Sequence, residues 1–330
     1  VYGLVAESVQ VAEDRTSVVF NMRREAQWHD GTAITAHDVV FTFETLKERA
    51  HPKYQIILRD VQSAEAIDDH TVKFTFDPDG ALRDLPMEVA TLPILSKVYY
   101  ESHDFTQPTL EPPLTSGPYK FGKIDAPRSL TFERVPDYWA KDLPVSVGRF
   151  NFDKIRYEFF RDRTTAMEGF LAGAYELREE FTSKTWATEY KGRAIEAGWI
   201  VRETLPDARP SGAQAFFLNM RRDKFKDARV REALDHAFDY EWTNRAIFYG
   251  AYARTFSMFA NSNLAPVGLP SEAELKLLEP WRGQVPDEVF GEPYEPPKTD
   301  GSGEDRSNLR KAMQLLRAAG WRSKNGVLVD

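Results

Sequence analysis

The stretch from Gln27 to Glu44, QWHDGTAITAHDVVFTFE, gathers residue types that can bind a metal or transfer protons. Its candidate ligands are His29, Asp30 and His37. A zinc site would need at least three convergent ligands, and common sites use closely spaced pairs such as two histidines one helical turn apart. These three residues do not have that spacing. The stretch therefore predicts no metal site.

Local backbone chemistry explains the same stretch better. Asp30-Gly31 is typical of a turn, because glycine adopts the positive φ that other residues resist. Thr35 followed three residues later by Asp38 predicts a capping box, and the apolar residues after it recur at helical spacing. Trp28 is assigned to the hydrophobic core. A turn followed by a capped helix is the prediction.

The sequence gives no positive indication of catalysis. G-x-S-x-G and S-x-x-K do not occur between a strand and a helix, and neither a P-loop nor G-x-G-x-x-G is found. The chain has no cysteine, which excludes thiol nucleophiles and Cys-ligated metals. Glu179 and Glu180 are adjacent, but an acid/base pair is defined by geometry rather than by sequence. We expect no enzyme activity and no cofactor.

Charge and hydropathy exclude further classes. The 330 residues carry a formal net charge of −8 and no Lys/Arg block stands out, so the basic surface of a nucleic-acid binder is not expected. No apolar run of about 18 residues could span a bilayer. The chain starts at Val1 without a basic-then-apolar leader, and we expect it to be a mature or shortened part of a longer protein.

Periodicity indicates a mixed α/β chain. Residues 17–23 and 71–76 alternate as half-buried strands, and residues 129–135 and 154–160 predict two more. The proline-dense segment 107–121 predicts a boundary between lobes. The apolar run Ala215–Leu218 predicts another strand, and residues 227–252 show a long helical pattern. Residues 288–307 predict an exposed, mobile loop, and the helix after it should end at Gly320.

A resemblance to a known family rests on ordered motifs. The first combines a strand end with a W-x-D-G turn and helix start, at Met22, Arg23, Trp28, Asp30, Gly31, Thr35, Ala36, Asp38, Val39 and Phe41. SGPYKF (116–121), RVPDYW (134–139), DRTTAMEGFLAGAYEL (162–177) and FKDARVREALDHAFD (225–239) follow it in order. Together they resemble the family 5 extracellular solute-binding proteins, the peptide and nickel receptors of ABC importers. Residues 238–282 are similar to the YejA-like oligopeptide-binding branch.

The resemblance implies a periplasmic-binding-protein-like α/β fold of type II, cluster C, in which two lobes with an extra subdomain close on a ligand. Residues 1–113 would form that subdomain, residues 114–210 the core of lobe one, and residues 211–330 the first part of a truncated lobe two. The implied function is capture of oligopeptides in the periplasm by a monomer, for delivery to a membrane permease and its ATPase. A ligand-sensing domain on the same scaffold and a carboxylate-dependent hydrolase are the alternatives.

The family placement also nominates ligand-binding residues. Arg178, Glu179, Glu180 and Phe181 follow the AGAYEL motif. Glu179 or Glu180 would bind a ligand ammonium group and Arg178 a carboxylate; a solvated charge run beside one buried Phe is an equally good interpretation. Two further candidates are Asn219, which could instead cap a turn, and Tyr54, which could instead be a packing residue. Trp186 could stack on a ligand or fill the core.

Overall fold

The computed structural model describes residues 2–325 and 327–329. The chain divides into two compact units, Val1–Gly169 and Phe170–Asp330. The predicted domain boundaries at residues 113/114 and 210/211 fall inside these units and stay predictions.

The first unit holds a four-stranded antiparallel sheet in the order β1-β2-β4-β3, followed by a three-stranded antiparallel sheet in the order β5-β6-β7. The strands are β1 (Ala6–Val11), β2 (Ser17–Met22), β3 (Val61–Asp68), β4 (Thr71–Phe76), β5 (Tyr119–Asp125), β6 (Ser129–Arg134) and β7 (Lys154–Glu158). The helices are α1 (Ala36–Arg49), α2 (Pro52–Ile57), α3 (Leu85–Ala90), α4 (Lys97–Ser102) and α5 (Arg163–Leu171), which crosses into the second unit.

Alternating residues of β2 and β4 build the core of the first unit. Every second residue of both strands is buried, as the period of a pleated strand requires. α1 packs its apolar face on this layer, where the rings of Phe20 and Phe43 meet Phe74 edge-on at 6.1 and 5.9 Å between centroids. Trp28 is buried in the same cluster, so its assignment to the core is confirmed.

The predicted start of α1 is confirmed, and Asp38 has a second role there. The backbone N–H of Thr35 donates to Asp38 Oδ2 over 2.9 Å, which closes the capping box. Asp38 Oδ1 accepts the backbone N–H of Lys97 at 2.8 Å. Because the carboxylate is buried, both bonds are needed to offset its desolvation. Asp38 therefore joins the start of α1 to the start of α4.

The second unit is mainly helical. Its helices are α6 (Ser183–Thr188), α7 (Arg193–Glu196), α8 (Ala228–Ala237), α9 (Tyr240–Ala246), α10 (Glu272–Leu278) and α11 (Arg306–Ala318), and its short hairpin pairs β8 (Arg322–Lys324) with β9 (Val327–Val329). Short 3-10 helices lie at Asp223–Phe225, Glu279–Trp281 and Asp287–Phe290. α8 and α11 pack against each other. Gly320 ends α11 with φ of 101°, as the sequence predicts.

Two predictions for this unit are wrong and a third is only partly confirmed. The helical pattern over residues 227–252 breaks at Phe238, because the carboxylate of Asp239 accepts the backbone N–H of Trp242 and starts a new helix. Residues 215–218 form no strand, since the described residues offer them no neighbouring strand to pair with. The third outcome is mixed: the loop over residues 288–307 is largely exposed, as predicted, while Thr299 donates to Glu241 and Gly301 is buried, and the predicted mobility stays a prediction.

Candidate functional site

The polar segment that the sequence nominates is built around an enclosed ion pair. Arg178 donates from Nε and Nη2 to Glu180 Oε2 at 3.2 and 3.1 Å, and from Nη1 to the hydroxyl of Tyr175 at 3.0 Å. Glu180 also accepts the backbone N–H of Thr182 at 2.9 Å and the hydroxyl of Tyr190 at 3.5 Å. The two side chains are 12% and 5% exposed. Each of the two charges therefore has a partner within the protein.

The environment of this pair also acts on Tyr190. Burial, and next the nearby carboxylate of Glu180, raise the pKa of the Tyr190 phenol. The phenol therefore stays protonated near neutral pH and can donate its hydrogen bond to Glu180.

The neighbours of the pair in the sequence face solvent instead. Glu179 is exposed, and the ring of Phe181 is 79% exposed, which is unusual for a large apolar side chain. The segment leads directly into α6, which begins at Ser183. Of the nominated residues in this segment, Glu179 and Phe181 are the ones whose side chains are open to an incoming molecule.

A cavity of about 640 Å³ lies between α6, α9 and the turn that follows α9. Its lining consists of Ala187, Tyr240, Glu241, Asn244, Arg245, Tyr249 and Gly250. The volume is within the range of small-molecule sites, which combine mostly apolar walls with a few polar groups. The sequence did not nominate these residues, because α9 was read as the continuation of α8.

Neighbouring loops hold the polar groups of this cavity in place. Glu241 Oε2 accepts the backbone N–H of Thr299 at 2.9 Å and its hydroxyl at 2.6 Å. The amide of Asn244 donates to the carbonyl of Tyr252 at 2.7 Å and accepts its N–H at 3.2 Å. Arg245 donates to the carbonyl of Gly301. The cavity thus has one fixed carboxylate and one fixed guanidinium on a single helix.

One polar atom at the cavity is unsatisfied. The hydroxyl of Tyr240 is buried and has no hydrogen-bond partner in the described part of the chain. Burial raises its pKa, so the group stays a neutral donor. A buried hydroxyl without a partner costs about 1–3 kcal/mol, a cost that an acceptor atom on a ligand would remove.

The two remaining nominated residues have other partners. Asn219 Oδ1 accepts the backbone N–H of Arg221 at 3.1 Å, which is the turn-capping alternative that the sequence left open. Tyr54 belongs to the first unit, where its ring packs against the core and lies 4.9 Å from the ammonium group of Lys53. Ligand binding by either residue stays a prediction.

The two histidines of the opening stretch contact polar groups of the protein. His29 Nε2 lies 2.7 Å from the carbonyl of Gly117, and Nδ1 lies 3.1 Å from the hydroxyl of Thr115. His37 is exposed, 3.6 Å from Asp69. Across residues 2–325 and 327–329, no group of three or more His, Asp or Glu could hold a metal ion. His29 instead ties the turn before α1 to the proline-dense segment.

Within the same described ranges, the model contains no helix with the length and apolarity needed to cross a membrane.

Comparison with known proteins gives one consistent result. The model of the family described as "Bacterial extracellular solute-binding proteins, family 5 Middle" matches residues 1–330. "Uncharacterized protein YejA" of Escherichia coli K12 is 39% identical over 97% of this chain and 52% of its own length. "Probable peptide-binding protein YejA" of Agrobacterium fabrum is 38% identical over 100% of this chain and 55% of its own length. The chain thus spans about half the length of these curated relatives.

Solved structures agree on the fold. The crystal structure of NikA from Brucella suis in complex with Fe(III)-EDTA has a TM-score of 0.69 to this chain and covers 97% of it, while the chain covers 56% of NikA. At 19% identity this likeness establishes the fold alone. The predicted α/β periplasmic-binding-protein fold is confirmed.

Proposed function

Because this chain belongs to the family 5 extracellular solute-binding proteins, as the ordered motifs between residues 6 and 260 predicted, we propose that it is part of the ligand-capturing subunit of an ABC importer. In this proposal the natural polypeptide acts in the periplasm as a monomer. It binds oligopeptides and delivers them to a membrane permease with its ATPase. The name of the 38% identical Agrobacterium relative supports peptides as the ligand class.

The observation that carries the proposal is the cavity between α6 and α9, together with the open residues that precede α6. A peptide brings a charged amine, a charged carboxylate and side chains of varied shape. The cavity offers Glu241 and Arg245 as fixed charges of both signs and aromatic walls from Tyr240 and Tyr249. Such walls accept different side chains without demanding one shape. Glu179 would add a second carboxylate for a peptide ammonium group.

Peptide capture needs no catalytic group, and the chemistry of the segment agrees with that. A hydrolase would need a carboxylate free to take up or give a proton. Glu180 is bound to Arg178, Thr182 and Tyr190, so its lone pairs are already used. The sensor alternative shares the same ligand chemistry. Identifying the protein that the natural polypeptide contacts after ligand binding would distinguish a sensor from a transport subunit.

Native mass spectrometry of the gently desalted natural polypeptide tests the ligand class. We expect a set of adduct masses that denaturation releases and that fragment as peptides. An adduct that fragments as a metal chelate, or a clean unliganded mass together with no thermal shift from a mixed peptide pool, would contradict peptide capture.

Substitutions locate the site once a peptide has been identified. We expect Phe181→Ala and Glu179→Gln each to weaken its affinity by about 5- to 20-fold, because each removes a solvent-open contact beside α6. Tyr240→Phe should weaken the affinity by about 5-fold if the ligand satisfies the buried hydroxyl. Glu176→Gln is the matched control, since Glu176 is an exposed carboxylate on the same segment. Calorimetric titration measures the peptide affinity of all four variants. If Glu176→Gln weakens the affinity as much as the other substitutions do, the proposed site is wrong.

A further inference from the structure

The outer face of α11 carries three aligned arginines. Arg306, Arg310 and Arg317 are all exposed. At 3.6 residues per turn they lie within about 40° of one another around the helix axis, whereas the exposed Lys311 lies about 120° from their centre. The buried Ala312 lies on the other side of the helix, where α11 packs on α8. We call Arg306, Arg310 and Arg317 the α11 stripe.

No acidic residue lies within or directly after the α11 stripe. Residues 306–329 contain no Asp or Glu, although Glu304 and Asp305 precede the stripe and the whole chain has a net charge of −8. Within residues 2–325 and 327–329, no side chain of the stripe makes a hydrogen bond or an ion pair. Two further exposed cations, Arg322 and Lys324, follow on β8. The second unit thus concentrates positive charge on one helix and the strand after it.

Folding does not explain this arrangement. Arg306 and Arg310 are one turn apart, and like charges at that spacing destabilise a helix. Arg306 is also the first helical residue, where the partial positive charge of the helix end disfavours a cation. Some other arginines in this unit are paired, as Arg229 is with Asp227 and Arg282 with Glu279. The stripe therefore costs stability and has no partner among the described residues.

We propose that the α11 stripe binds the surface of an anionic phospholipid bilayer. Guanidinium groups bind phosphate oxygens in pairs of parallel hydrogen bonds, which suits a row of arginines to lipid phosphates. Clusters of about four to eight Lys and Arg are typical of attraction to anionic lipids. The three arginines of the stripe reach that number together with Arg322 and Lys324 of β8. The stripe extends over about 16 Å of helix, long enough to face several headgroups at once.

The charge of the stripe favours a lipid surface over an acidic protein. The surfaces of folded proteins mix both signs of charge, and the stripe has no acid that would meet the cations of such a partner. The proposal does not depend on which ligand the cavity binds.

Vesicle sedimentation of the natural polypeptide tests the proposal. We expect binding to vesicles of phosphatidylglycerol and phosphatidylcholine in equal parts, no binding to phosphatidylcholine alone, and loss of binding at high salt. Arg306→Gln, Arg310→Gln and Arg317→Gln combined should lower the partition coefficient by about 100-fold, or about 5-fold for each charge. Replacing the same three arginines by Lys should keep most of the binding.

The control removes three exposed cations from the first unit, as Arg24→Gln, Lys123→Gln and Lys141→Gln. Equal losses from both triple variants would mean that only net charge matters and would overturn the assignment to α11. No vesicle binding by the unchanged protein would also overturn it and would point to an acidic protein partner. The Gln variant should melt no lower than the unchanged protein. A clearly lower melting temperature would show that the stripe is paired within the natural polypeptide, and would overturn the proposal as well.

Discussion

The pair formed by Arg178 and Glu180 is the least exposed ion pair of the described residues. Two charges leave water to form it, and that desolvation offsets most of their attraction. The pair is therefore weak evidence for net stability, yet each partner depends on the other. Removing one of them leaves a carboxylate or a guanidinium buried without compensation.

We expect Arg178→Gln to lower the free energy of unfolding by about 3 kcal/mol, because Glu180 keeps only Thr182 and Tyr190 as partners. Glu179→Gln, the exposed neighbour, should change it by less than about 0.5 kcal/mol. Urea denaturation of both variants measures the difference. If Arg178→Gln unfolds like the unchanged protein while peptide affinity falls, the two charges are available to a ligand, as the sequence alone suggested.

For single residues, the sequence identified the segment that holds Arg178 and Glu180 but did not predict that these two side chains pair with each other. Arg178 and Glu180 are two residues apart outside any regular element, so no periodicity predicts that their side chains meet. The cavity residues Tyr240 and Arg245 were missed, because their place depends on the helix break at Phe238 and on Asp239, which caps α9 and also bonds to Thr299 and Gly303. Asp38 was predicted as a cap, while its bond to Lys97, 59 residues away, was not.

Helix starts could be read from the sequence and strand pairing could not. The capping box at Thr35 depends on residues within one turn and forms as predicted, and Ser271 and Glu274 form a second one at the start of α10. A strand depends on a distant neighbour, and residues 215–218 have the right composition without one among the described residues. Phe216 and Phe217 are consequently 86% and 76% exposed.

The start of α8 gives a pH-dependent prediction. Asp227 accepts the backbone N–H of Arg229 at 2.9 Å and binds its guanidinium, and these bonds lower the pKa of Asp227 to about 2 from an ordinary 3.8. A lowered pKa stabilises the folded state at pH above 3.8, and that contribution is lost as the pH falls through about 2. Asp227→Asn keeps a capping oxygen and removes the charge.

We therefore expect the stability difference between the unchanged protein and Asp227→Asn to be constant above pH 3.8 and to shrink between pH 3.8 and about 2. Thermal unfolding at a series of pH values measures it. Arg229→Gln should abolish the same pH-dependent part, since it removes the partner of Asp227. A difference that stays constant through this range would assign the effect to helix capping without charge.

On the scale of the whole chain, burial is uneven. Twenty of the buried apolar residues of the described chain belong to the first unit, and seventeen of them form one core around the sheet of β1 to β4 and the packed α1. In the second unit the corresponding residues are Tyr190, Val230, Ala233 and Ala312. Apolar burial is the main favourable contribution to folding, so it stabilises the first unit by itself more than the second unit by itself.

We expect residues 1–172, expressed alone, to unfold in one cooperative thermal transition, because this fragment contains the sheet, α1 and the whole of α5. Residues 173–330 should keep helical circular dichroism but melt without a sharp transition and bind a hydrophobic dye, since their helices bury few apolar side chains. Circular dichroism on both fragments makes the comparison. A cooperative transition in the second fragment would show that polar contacts such as those of Thr299 with Glu241 stabilise it without a large core.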